Sequence, residues 1–125
     1  MKMKLELVAV PVTDVDRAIA FYKNKVGFHV DHDHKVSADV RFVQLTPPGS
    51  ACSIVLGKGI TKMKPGSQLG LQMVVENAQA AHDLLATNGV EVTEVDVMPW
   101  GKFVFFTDPD GNGWSLQELP PSPSA

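Results

Sequence analysis

The pattern of apolar and polar positions along this chain changes period several times, and each change marks an element. Lys4 to Val12 is nearly all apolar, which predicts a strand buried on both faces, and Thr13-Asp14 follows as a helix N-cap. From Val15 the apolar residues Val15, Ala18, Ile19, Tyr22 and Val26 recur at helical spacing, and Gly27 ends the helix as a C′ residue. Phe28 to Lys35, Asp39 to Leu45 and Ala51 to Leu56 read as strands, separated by a polar turn and by Thr46-Pro47-Pro48-Gly49-Ser50. The order is β-α-β-β-β.

The same order then returns. After a Gly-, Lys- and Pro-bearing connector, Gln68 to Glu76 reads as a strand. Asn77 caps a helix carrying Ala78, Ala81, Leu84 and Leu85, and Asn88-Gly89 closes it. Val90 to Val97, Gly101 to Thr107 and Gly113 to Leu119 are the remaining strands. Individual residues repeat as well: Val12, Asp14 and Ala18 match Val75, Asn77 and Ala81 at an offset of 63. Pro47, Gly49, Ser53 and Ile54 match Pro109, Gly111, Ser115 and Leu116 at an offset of 62. A duplicated β-α-β-β-β unit explains both sets. The expected organisation is one domain at 1–119, with module one at 1–57, a connector at 58–67, module two at 68–119, and a disordered tail at 120–125. The fold class is α+β. One helix covers only one face of a four-stranded sheet, so the two sheets are expected to form a curved mixed trough with the helices outside and a small ligand within.

Composition removes several alternatives. At 125 residues with a formal net charge of −3, the chain has no basic field to gather phosphates, so nucleic acid is not an expected partner. The single Cys cannot form an internal disulfide, and no secretory pattern opens the chain. No apolar run approaches the roughly 20 residues needed to cross a bilayer. The expectation is a cytoplasmic protein without membrane association.

The stretch Val12-Thr13-Asp14-Val15-Asp16-Arg17-Ala18-Ile19-Ala20-Phe21-Tyr22, then Val26-Gly27-Phe28, and finally Phe106-Thr107-Asp108-Pro109-Asp110-Gly111-Asn112 resemble the vicinal oxygen chelate superfamily. That superfamily includes glyoxalase I, bleomycin- and fosfomycin-resistance proteins and extradiol dioxygenases. The resemblance covers almost the whole chain and implies the paired-module fold. Its motifs are mostly cap, core and turn: Pro109 presets φ and Gly111 accepts a positive one. In metal-dependent members, inner-face His, Gln or Glu side chains hold a divalent metal that chelates two substrate oxygens. Counting back from the first cap places one such position at Leu7, and the repeat carries it to Gly70. Counting from the last turn places another at Ser115, which the repeat carries to Ser53. These four residues include no imidazole and no carboxylate, so no metal and no cofactor is expected.

Gln72 and Gln117 share the predicted inner face and are suited to hydrogen-bond a ligand. Arg41 lies in a strand, where it is either a trough guanidinium for an acidic group or an edge charge. Trp100, at the Pro99-Trp100-Gly101 break, is either a stacking surface at the rim or a core anchor. Phe103 and Phe105 share one face of their strand, Val104 and Phe106 the other. His32 and His34 share a face of an earlier strand, opposite Asp31 and Asp33, and a solvated strand end is preferred there to a metal site. The expected ligand-binding set is Leu7, Arg41, Ser53, Gly70, Gln72, Trp100, Phe103, Ser115 and Gln117. The leading expectation is a metal-independent homodimer that binds a small organic molecule rather than an enzyme. Two alternatives stay open: a lyase, isomerase or dioxygenase with displaced ligands, using groups such as His32, His34 or Glu118, and a non-catalytic partner-binding dimer.

Overall fold

A computed structural model describes residues 1–121; of the tail expected at 120–125, residues 122–125 lie outside the described residues. The backbone forms two compact units. The first contains Met1–Gln68 together with Asp108–Asn112, and the second contains Leu69–Thr107 and continues from Gly113.

In the first unit the elements are β1 (Leu7–Ala9), α1 (Val15–Ala20), β2 (His29–Lys35), β3 (Arg41–Thr46) and β4 (Ser53–Lys58). They form a four-stranded sheet in the order β1-β4-β3-β2, with β1 parallel to β4 and the other pairings antiparallel. The predicted strand at Lys4 to Val12 is much shorter than expected. Met1 to Glu6 are exposed, and Leu7 to Ala9 are half-buried on an edge strand rather than buried on both faces, because among the described residues β4 is the one strand paired with them. Asp14 caps α1, its carboxylate accepting from Arg17 N at 3.0 Å. The helix predicted to run unbroken to Val26 instead widens into a π-helical turn at Phe21–Val26. Gly27, in the left-handed region at φ 96°, closes it by donating to the Tyr22 carbonyl at 2.9 Å. Phe21, Tyr22 and Phe28 are buried there, with Tyr22 edge-on to Phe21 and stacked on Phe28. Alternation along β3 and β4 buries Val43, Leu45, Ile54 and Leu56 on one face, each contributing about 1.5–3 kcal/mol of apolar burial.

The second unit repeats the plan with β5 (Leu71–Val75), α2 (Ala78–Thr87), β6 (Asp96–Met98), β7 (Gly101–Thr107) and β8 (Gly113–Glu118), in the sheet order β5-β8-β7-β6. Asn77 caps α2 by accepting from Ala80 N at 2.8 Å, and Glu118 accepts from Ala78 N at 2.8 Å. The helix packs on β7 and β8, burying Ala78 and Leu85 with Val104, Phe106, Trp114 and Leu116. The strand expected at Val90 to Val97 is reduced to Asp96–Met98. Val92 makes only an isolated bridge to Phe106, and Thr93 bonds to the Phe105 backbone in both directions. This irregular segment becomes one wall of the cleft described below. Among the described residues no helix is long and apolar enough to cross a membrane.

Candidate ligand-binding site

Strand alternation gives the second sheet two unlike faces. Trp114 and Leu116 of β8 turn to the buried side with Val104 and Phe106 of β7. Ser115 and Gln117 turn the other way, opposite Phe105 and Phe103 on one side and Gln72 and Val74 on the other. At one end of this sheet lies a cleft of about 670 Å³, within the usual size range of small-molecule sites. Its floor is Gly70, Gln72 and Ser115, and its open aromatic surface is Phe105. Phe106 and Trp114 take part in the lining although both are buried, and Glu91, Val92 and Thr93 border it. Leu69, Leu71, Thr107 and Gly113 complete the lining. Phe105 remains 37% exposed even though Phe103, its parallel neighbour at 6.0 Å, is buried; an aromatic surface is therefore presented outward. Phe106 and Trp114 stack at 6.1 Å beneath it.

The polar groups of the face are bonded in series. Ser115 Oγ donates to Gln72 Oε1 at 3.1 Å, Gln72 Nε2 donates to Gln117 Oε1 at 2.7 Å, and Gln117 Nε2 donates to the Trp100 carbonyl at 2.8 Å.

Of the residues singled out from the sequence, Gly70, Gln72 and Ser115 line the cleft, and Gln117 and Trp100 join them through hydrogen bonds. Trp100 contributes a main-chain carbonyl; the residue is exposed and is not part of the lining. Phe103 backs Phe105. The two sheets differ in which of the counted positions face each other: Leu7 sits opposite Ser53 in the first, whereas Gln72 rather than Gly70 sits opposite Ser115 in the second. Val10 to Thr13 separate β1 from its cap, but only Glu76 separates β5 from Asn77, so an equal count back from the cap overshoots Gln72 by two residues, to Gly70. Missing from the sequence reading were Glu91 to Thr93 and the role of Phe105. The shared face of Phe103 and Phe105 was the available signal for the latter.

Leu7, Ser53 and Arg41 belong to the first unit. There Ser53, 4% exposed, shares a hydrogen bond with Thr46 Oγ1 at 2.6 Å and accepts from Gln44 Nε2 at 3.4 Å, while Thr46 donates to Asp31. Hydrogen bonds from Thr46 and then His29 hold the Asp31 carboxyl below its ordinary range, against the opposing effect of burial. A register shift between Val30 and His32 turns Asp31 toward Thr46, so Asp31 and Asp33 serve different faces instead of the shared one expected. Arg41 points to the helix side. Its guanidinium donates to Asp33 at 2.9 and 2.8 Å and to Asp16 of α1 at 2.9 Å, and the bonds to Asp33 raise its already high pKa further. The exposed rings of His32 and His34 stack at 5.7 Å. Glu118 is occupied at the α2 terminus and lies near Lys102.

The positions that the family resemblance assigns to metal ligands thus carry Leu7 and Ser53 in one unit, Gly70 or Gln72 and Ser115 in the other. Their donors are hydroxyls and an amide, a poor match for a first-row divalent metal. Among the described residues no group of three or more His, Cys, Asp or Glu is arranged to hold one.

Two β-α-β-β-β units, each with a parallel first strand and a helix on one face of the sheet, define a superfamily architecture. The chain belongs to the glyoxalase/bleomycin resistance protein/dioxygenase superfamily, whose family model matches residues 4–116. It is similar to TnmS3, an antibiotic binding protein from Streptomyces sp. CB03234, with a TM-score of 0.87 at 34% identity over 95% of this chain and 98% of that one. A glyoxalase/bleomycin resistance protein from the same organism matches with a TM-score of 0.81 at 35% identity, covering 91% and 99% of the two chains. The uncharacterized protein YetH of Bacillus subtilis (strain 168) is 32% identical over 120 residues, covering 94% of this chain and all of that one.

Proposed function

We propose that this protein binds a small, partly aromatic organic molecule in the cleft of its second unit, without a metal ion and without chemical conversion of the ligand. The observation that carries this reading is the pairing of an outward-facing aromatic surface, Phe105, with an ordered hydroxyl and amide floor at Ser115 and Gln72. Such a lining supplies apolar contact area and a few directional polar groups, which sequestration requires. The likeness to an antibiotic binding protein supports the same reading. A homodimer is part of the proposal, and the exposed Val74, Val97 and Trp100 of the second unit support it.

The test is a thermal-shift screen of metabolites and antibiotics with and without a chelator, because a ligand that binds the folded state raises its melting temperature by mass action. A hit whose shift is unchanged by chelator and abolished in Phe105→Ala is the expected result. Loss of the shift on chelation, or its full retention in Phe105→Ala, would overturn the reading.

A further inference from the structure

One backbone carbonyl dictates the direction of every side-chain hydrogen bond along the cleft floor. The Trp100 carbonyl oxygen can only accept, so the end of the Gln117 amide that meets it must be the NH₂ end. Gln117 Oε1 then faces Gln72 and requires Nε2 of that residue, which turns Gln72 Oε1 toward Ser115 and requires the Ser115 hydroxyl to donate. Inverting either amide sets oxygen against oxygen or nitrogen against nitrogen. Gly101 permits the approach on which the series depends. At φ +143°, a Cβ there would lie 3.3 Å from Gln117 Nε2 and 2.5 Å from the Glu118 carbonyl oxygen.

The consequence reaches the ligand. Ser115 has one hydroxyl proton, and Gln72 takes it; what Ser115 offers to the cleft is lone pairs. The series uses one of the two Gln72 N–H bonds, leaving the other as the adjacent donor. We infer that the floor selects a ligand whose edge donates a hydrogen bond to Ser115 and accepts one from Gln72, as a carboxamide or hydroxy-carbonyl group on a flat ring does, and discriminates against an isostere with acceptors only. This rests on the cleft being the binding site.

The experiment titrates the isotope-labelled full chain separately with 2-naphthamide and with methyl 2-naphthoate, following the backbone amide signals of Phe105 and Ser115. Both compounds are expected to shift these signals, with the carboxamide binding about tenfold more tightly, the equivalent of one hydrogen bond. Ser115→Ala is expected to weaken the carboxamide about tenfold and leave the ester unchanged, while Ser115→Thr keeps the preference. Equal affinity of the two compounds for the wild type, or a preference that survives in Ser115→Ala, overturns the donor selection and leaves the cleft reading standing. Failure of both compounds to move either signal overturns the cleft reading, and this inference with it.

Discussion

The Tyr22 hydroxyl donates to Asp108 Oδ2 at 2.8 Å across 86 positions of sequence, and both residues are buried within the first unit. Asp108 also accepts from Asn112 Nδ2 at 2.7 Å and, through Oδ1, from the Asp110 and Asn112 backbone N–H groups at 2.9 Å. Four donors converge on one carboxylate, which offsets the loss of water on burial. Asn112 donates onward to the Pro11 carbonyl at 2.8 Å, and Asp110 accepts from the Thr13 hydroxyl at 2.7 Å. The Asp-Pro-Asp-Gly turn is therefore a clamp on the start of α1 and on the π-helical turn that follows it.

Tyr22→Phe removes one donor and leaves the ring in place. It is expected to lower stability by about 1–3 kcal/mol, because a buried carboxylate oxygen loses a partner. Asp108→Ala, which strands four donors, is expected to cost more. Urea unfolding with an unchanged slope measures both, and a Tyr22→Phe midpoint equal to that of the wild type would show the bond to be energetically idle.

Arg41 shapes the acid limb of stability. Its hydrogen bonds hold the Asp33 carboxyl below the ordinary range, more than offsetting the opposing effect of burial. A carboxylate with a lowered folded pKa contributes stability that is complete above the unfolded value and is lost as pH falls through the folded one. The wild type should therefore exceed Arg41→Gln by a constant margin at neutral pH, and that margin should shrink below about pH 4. Urea midpoints across the acid range check this. A margin that stays constant through the whole range would remove Asp33 from the account.

Two glycines separate conformational need from space. Gly101→Ala puts a Cβ 2.5 Å from the Glu118 carbonyl oxygen at a positive φ and is expected to cost about 1–3 kcal/mol. Gly70→Ala meets nothing within 4 Å and has no such backbone constraint, so its effect should stay within about 0.5 kcal/mol. Comparable losses in the two variants, measured by thermal or urea unfolding, would contradict this distinction.

The elements that were legible in sequence are those set by neighbours along the chain. Asp14 and Asn77 announce helix starts because a short polar side chain satisfies the first free N–H groups, and Gly27 announces a stop because it adopts a positive φ without a Cβ clash. Gly101–Thr107 was bounded correctly by its alternation and flanking turns. The errors have a common origin in pairing between distant segments. Leu7 to Ala9 is bounded by its register with Ser53 to Val55 of β4, and the stretch from Val90 breaks because Val92 and Thr93 bond to Phe106 and Phe105 rather than extending a ladder.

For the site, residue chemistry and strand parity were enough to bring Gly70, Gln72 and Ser115 into consideration, and the positions that the family resemblance assigns to metal ligands carry no imidazole or carboxylate in the sequence. Parity is local, since successive side chains take opposite faces, except where pairing inserts an irregularity, as between Val30 and His32. Register, partner and direction are not local. Which residue lies opposite Ser115, that Arg41 turns to Asp16 and Asp33, that Glu91 to Thr93 wall the cleft, and that the Trp100 carbonyl orders the Gln117, Gln72 and Ser115 bonds are all decided by atoms brought together from remote parts of the chain. Tertiary structure alone supplies those distances, and hydrogen bonding depends on them.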